Sequence, residues 1–177
     1  MANATTHDRL ERRFELWDTN KDGRIERADW EAEAQRILQS FGETPDSPRG
    51  RAVISSYTHM WDYLAKQAGP GVKYLTLDQF KQVSHDHIIN QGDQGFSNVL
   101  RPTIRAIADL CDHDGDGRVS FEGFKSWLNA VGAEQTDAKA AFDRLDKNGD
   151  GHLTVDELVH AVRDYHAGTL DISLLGD

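Results

Sequence analysis

The chain has 177 residues, a formal net charge of −10, 28% charged side chains and one cysteine, Cys111. That length holds one good core or two small fused ones, and the acidic balance repels nucleic acid and anionic membrane surfaces. No apolar run is long enough to span a bilayer, Cys111 makes no internal disulfide, MANATTHDRL has no apolar signal core, and Ala2 stands where myristoylation needs Gly, so a cytoplasmic address is expected.

Leu10, Phe14 and Trp17 share one face of a first helix, with Thr5 or Thr6 as its N-cap. DTNKDGRIERAD follows at 18–29: Asp18, Asn20 and Asp22 alternate, Gly23 takes the sixth place and Asp29 the twelfth. Asp, Asn and Gly are ordinary turn residues, so a solvated acidic turn is the bland reading. Trp30, Ala34, Ile37, Leu38 and Phe41 then form a second apolar stripe, and the breaker-rich GETPDSPRG at 42–50 reads as a linker. Val53, Tyr57, Met60, Trp61 and Leu64 mark a third helix; Leu77, Phe80, Val83 and His87 mark a fourth.

QGDQG at 91–95 separates the halves, which places one unit at 1–91 and a second at 92–177. Phe96, Val99, Leu100, Ile104, Ile107 and Leu110 form the next helix, with Pro102 bending it or starting it late. DHDGDGRVSFEG at 112–123 repeats the alternating acidic pattern but closes on Gly123. Phe121, Phe124, Trp127, Leu128 and Val131 leave it, with Gly132 as C-cap. Ala138, Ala141, Phe142 and Leu145 lead into DKNGDGHLTVDE at 146–157, and Leu158, Val162 and Tyr165 lead out. Leu170, Ile172, Leu174 and Leu175 make LDISLLG too apolar for a free tail, so it is expected to pack against the body.

A solvated turn needs no fixed offsets, whereas a hard cation such as Ca2+ needs roughly six to eight oxygens from one tight loop. In the last loop Asp146, Asn148 and Asp150 offer side-chain oxygens, His152 its backbone carbonyl, Thr154 a bridging water and Glu157 both carboxylate oxygens. This is the EF-hand spacing. The first loop offers Asp18, Asn20, Asp22, the carbonyl of Arg24, Glu26 and the shorter Asp29, a set that also suits Mg2+. The 112–123 loop offers Asp112, Asp114, Asp116 and the carbonyl of Arg118, with Ser120 placing a water; Gly123 gives no oxygen and Glu122 faces away. Weak occupancy is expected there, and Gly123→Glu is expected to tighten it by an order of magnitude or more and to stabilise the exiting helix slightly.

Hands come in pairs, and Leu75 fits the eighth place of a loop from Ala68 to Gln79. Ala68, Pro70 and Val72 stand at its ligand places and Lys73 replaces the glycine, so this hand keeps its helices without a metal. The fold expected is all-α: four EF-hand helix–loop–helix units in two pairs, joined by short β pairings of Ile25 with Leu75 and Val119 with Leu153. His85 and His87 do not share a helical face, which argues against a transition-metal site. No nucleophile motif, phosphate loop or zinc helix is present, and the hands consume the chain, so no enzyme is expected.

RLERRFELWD, WDYLAKQAG, NQGDQGFSNVL and AVRDYHAGTLDISLLG, which reach well beyond the ligand places, give the chain a resemblance to the calerythrin family, prokaryotic relatives of the sarcoplasmic calcium-binding proteins. The resemblance implies a compact four-hand protein with the second hand metal-free, active first, third and fourth hands, and a role in calcium buffering or transport. Asp29 at the twelfth place is shared with that pattern; Gly123 departs from it. With only Met1 and Met60 as methionines, the apolar stripes suit a fixed core better than an adaptable groove, so a monomeric buffer is the first reading and a calcium-dependent regulator of a protein partner the second.

Overall fold

The computed structural model describes residues 4–112, 114–131, 133 and 137–170. Among them the order is α1 (Ala4–Trp17), β1 (Arg24–Glu26), α2 (Arg27–Ser40), α3 (Pro48–Ala68), β2 (Tyr74–Thr76), α4 (Leu77–His87), a single 3-10 turn (Ile89–Gln91), α5 (Gly92–Cys111), α6 (Phe121–Ala130), α7 (Ala138–Leu145) and α8 (Val155–Ala167). The architecture is the predicted one, helices joined in pairs through loops.

Capping chemistry sets most of the helix starts. Thr76 and Thr154 accept the N–H groups of Gln79 and Glu157, while those two side chains turn back to the cap residue's own N–H. Ser47 accepts from Gly50 N at 2.9 Å, and Pro48 takes the first helical position. The linker therefore ends at Ser47, and the rest of GETPDSPRG belongs to α3. QGDQG likewise merges into the first turn of α5, which continues through Pro102. α1 is already helical at Ala4, so neither Thr5 nor Thr6 precedes it. Gly132 lies outside the described residues.

The loops pair as expected. Ile25 lies opposite Leu75 in the antiparallel β1–β2 ladder, and Val119 and Leu153 exchange N–H···O bonds of 2.8 Å in both directions. All four side chains are buried. One apolar cluster joins α1 to α4 with Phe96, Val99 and Leu110 of α5 and with Val159 and Val162 of α8. A second gathers Val119, Phe124, Leu128, Phe142 and Leu153 around the last two loops. Leu170 is buried against this second cluster; Ile172, Leu174 and Leu175 lie outside the described residues.

The second loop contributes to the fold through Leu75, which is fully buried although the loop around it has no ligand set. Leu75→Ala is expected to lower stability by about 3 kcal/mol, measured by urea unfolding in the presence of chelator.

Candidate metal centre

Each acidic loop begins where a helix runs out of backbone partners. Asp18, Asp112 and Asp146 stand at those ends, and one oxygen of each accepts the N–H of the glycine at the sixth place: Gly23 at 2.9 Å, Gly117 at 2.8 Å and Gly151 at 2.8 Å. Those glycines have φ near +78° (+79°, +77° and +79°), where a Cβ is strained. The fourth place is left-handed too, filled by Gly115 and Gly149 but by Lys21 (φ 59°) in the first loop.

The third and fifth places hold the turn from inside. Asn20, Asp114 and Asn148 accept the N–H of the residue two places on, at 3.1, 3.3 and 3.1 Å. Asp22, Asp116 and Asp150 do the same for Arg24, Arg118 and His152, at 3.0, 2.8 and 3.0 Å. These bonds occupy part of each side chain's acceptor capacity. Oδ1 of Asp146 is buried without a hydrogen-bond partner among the described residues. A buried carboxylate oxygen left without a partner is open to a cation, and the oxygen-rich donor set fits a hard divalent ion.

The loops close differently. Glu157 spans its loop: Oε2 accepts from Lys147 N at 3.0 Å, Oε1 from Thr154 N at 3.0 Å. Asp29 Oδ2 accepts from Glu26 N at 2.9 Å. Gly123 has only its backbone there, with its N–H on Ser120 Oγ at 3.2 Å, and Glu122 is exposed. A Cβ built on Gly123 would lie 2.3 Å from the carbonyl oxygen of Cys111. Gly123 is therefore a packing residue as well as a missing ligand, because it lets the start of α6 rest against the end of α5. The expectation that a glutamate here would stabilise the helix is overturned by that contact.

The seventh-place side chains reach across to the partner loop, which sequence spacing does not reveal. Arg118 bridges Asp116 Oδ2 at 3.2 Å and Asp150 Oδ2 at 3.3 Å, while His152 Nε2 lies 3.7 Å from Asp116 Oδ2. Donor atoms of Asp114, Asp116 and His152 lie within 4.8 Å of one another, so His152, expected to offer only its backbone carbonyl to the fourth loop, also brings its imidazole to the third. In the other pair Val72 stands where a fifth-place carboxylate would, and the Arg24 guanidinium sits 4.4 Å over the Tyr74 ring instead. His85 Nδ1 contacts its neighbour Asp86 at 3.1 Å.

Ionisation follows these contacts. The His152 N–H holds Asp150 below the usual carboxylate range, with Arg118 adding to it, and the Arg118 N–H does the same for Asp116. Burial pushes Asp112 up, but the N–H groups of Gly117, Gly115 and Asp116 contribute to a net lowering. Asp29 moves the other way: burial raises it, and the carboxylates of Glu26, Asp18 and Asp22 add to the rise against the Glu26 N–H. The first loop crowds negative charge that a cation would relieve.

Residues 10–32 match an EF hand model and residues 137–170 an EF-hand domain model. Calerythrin from Saccharopolyspora erythraea is 41% identical over 177 residues, covering 99% of this chain and 100% of that protein. The chain belongs to the calerythrin family. Outside the close calerythrin match, the luciferin-binding protein of Renilla reniformis is 27% identical over 168 residues, 94% of this chain and 88% of that one. Among solved structures, a calcium-binding protein from Streptomyces coelicolor superposes with a TM-score of 0.74 at 28% identity, covering 92% of this chain and 98% of that chain. Like calerythrin, this chain is an EF-hand calcium-binding protein, and no helix among its described residues is long and apolar enough to cross a membrane.

The contact at Gly123 makes a direct prediction. Gly123→Glu is expected to destabilise the protein by about 2 kcal/mol through overpacking. The gain in calcium affinity at this loop should stay below about tenfold. Urea unfolding and calorimetric titration measure the two effects; unchanged stability would show that α6 can slide away from Cys111.

Proposed function

We propose that calcium is held by the first and fourth loops, weakly by the third, and that the protein works as a monomeric cytoplasmic calcium buffer or transporter rather than as an enzyme. In the fourth loop the ion would be held by Asp146, Asn148, Asp150, the His152 carbonyl and both oxygens of Glu157. In the first it would be held by Asp18, Asn20, Asp22, the Arg24 carbonyl, Glu26 and the shorter Asp29, a set that also admits magnesium. In the third, Asp112, Asp114, Asp116 and the Arg118 carbonyl serve one side of the ion. A bound divalent ion supplies positive charge against a chain of net charge −10. The hands divide at 91/92 into a pair with one metal-binding loop and a pair with two.

The observation that carries the buffer reading is the placement of apolar side chains. Tyr74, at 42% exposure, is the one exposed large hydrophobic among the described residues, and its ring already carries Arg24. Met60 is buried in the core rather than displayed. A sensor instead presents an adaptable apolar groove to its target. The alternative reading, a calcium-dependent regulator, is supported by likeness to the Streptomyces coelicolor protein, which is described in terms of calcium-mediated regulation.

Two measurements test the proposal. Glu157→Gln removes a charge while keeping an N3 side chain able to complete the capping box, as Gln79 does in α4. It is expected to weaken calcium binding at the fourth loop by roughly a hundredfold, on the order of 3 kcal/mol, in calorimetric titration. Parent-like affinity would remove Glu157 from the ligand set. Calcium loading is also expected to raise the melting temperature without increasing hydrophobic-dye binding; strong calcium-induced dye binding would favour the regulator.

A further inference from the structure

One side-chain cation serves both loops of the second pair. At the fifth place of each, one carboxylate oxygen holds the loop's own turn: Asp116 Oδ1 accepts Arg118 N at 2.8 Å, and Asp150 Oδ1 accepts His152 N at 3.0 Å. The other oxygen of each meets the same guanidinium. Arg118 Nη2 lies 3.2 Å from Asp116 Oδ2 and Nη1 lies 3.3 Å from Asp150 Oδ2, so one planar fork spans the two loops.

The first pair is built differently. Arg24 holds the same seventh place, yet its guanidinium lies over the Tyr74 ring, and Asp22 Oδ2 accepts from the Asn20 amide at 3.3 Å. Val72 stands at the opposite fifth place and offers no carboxylate. In the second pair two fifth-place carboxylates meet on Arg118, which offsets their mutual repulsion. The same charge opposes a divalent ion in either loop, because calcium must share or take over the oxygens that Arg118 holds. Exposed ion pairs contribute little to stability, but a unit charge acts on a doubly charged ion with twice the force.

We propose that Arg118 sets the calcium affinity of the second pair: it is a tethered internal cation that holds the third and fourth loops together and competes with calcium in both. This role depends on calcium being held by these two loops, as proposed above. Arg118 thus acts twice, its carbonyl toward the ion and its side chain against it. At 40% exposure the guanidinium is open to solvent ions, so the competition weakens with salt.

Arg118→Met removes the charge and keeps a long stem. Calcium is titrated into the full chain while the N–H signals of Gly117 and Gly151 are followed by NMR; each is bonded to the first-place Asp of its own loop and reports that loop separately. Affinity at both loops is expected to rise about three- to tenfold at low salt, with the gain lost near about 1 M salt, where the screening length is about 3 Å. In chelator the same variant is expected to melt at a lower temperature than wild type, because Asp116 and Asp150 lose the counter-ion between them. Arg118→Lys keeps the charge and should keep most of the suppression. Arg27→Met removes an equal charge from the first hand, where Arg27 pairs with Glu31 and Asp62, and should leave the third and fourth loops within about twofold of wild type. Unchanged or weaker calcium binding in Arg118→Met, where both wild-type loops fill, overturns the competition; weaker binding with a lower melting temperature would leave Arg118 a structural residue only. A lysine variant as tight as the methionine one, or an Arg27→Met protein that tightens equally, also overturns it, assigning the gain to packing or to net charge. An unchanged melting temperature in chelator overturns the holding role. Wild-type Gly117 and Gly151 signals that do not respond to calcium overturn the calcium reading of these loops, and the role of Arg118 with it. Should Arg118→Met fail to fold, Arg118→Gln repeats the comparison.

Discussion

At the eighth place of each loop, an apolar side chain enters the core while its backbone is paired with the opposite loop. Ile25 faces Leu75 and Val119 faces Leu153, and all four are buried. This pairing fixes loop to loop and loop to core in one residue. The backbone bonds alone would be worth little in water, since they replace bonds to solvent. Burial of the side chains makes the arrangement persist. It also explains how a hand can lose every ligand and remain: the second loop still delivers Leu75.

The ninth and twelfth places have a comparable double role. They are the N-cap and N3 residues of the exiting helix, so a capping box and the end of a metal loop use the same pair. Thr154 with Glu157, Glu26 with Asp29, and Thr76 with Gln79 all form it. The last of these survives in a loop without ligands, which separates the helix-capping role from the metal-binding one. In the third hand Ser120 caps α6, and Gly123 has no side chain with which to reciprocate.

The sequence is most legible where chemistry repeats at fixed offsets. Alternating Asp and Asn, the sixth-place glycine and the eighth-place apolar residue give both the loops and their pairing, because those offsets encode backbone bonds within about a dozen residues. It is less legible where a signal has two readings. Ser47 and Pro48 look like breakers within GETPDSPRG and are a cap and a first helical residue. QGDQG reads as a separator and merges into α5. Contacts between distant segments are not legible at all: neither the carbonyl of Cys111 beneath Gly123 nor the reach of Arg118 and His152 across to the partner loop has a local signature.

The close approach at Gly123 constrains how the third loop can be altered. A loop that has merely lost its closing carboxylate is one substitution from recovering it. Here the neighbouring helix end occupies the space that any side chain would need, with the Cys111 oxygen 2.3 Å from where a Cβ would sit. Placing a ligand there therefore requires the backbone to retreat first, so a glutamate introduced alone meets the close packing of α6 on the end of α5. The position and the packing beneath it are coupled, so redesigning this loop means changing two elements together rather than one residue.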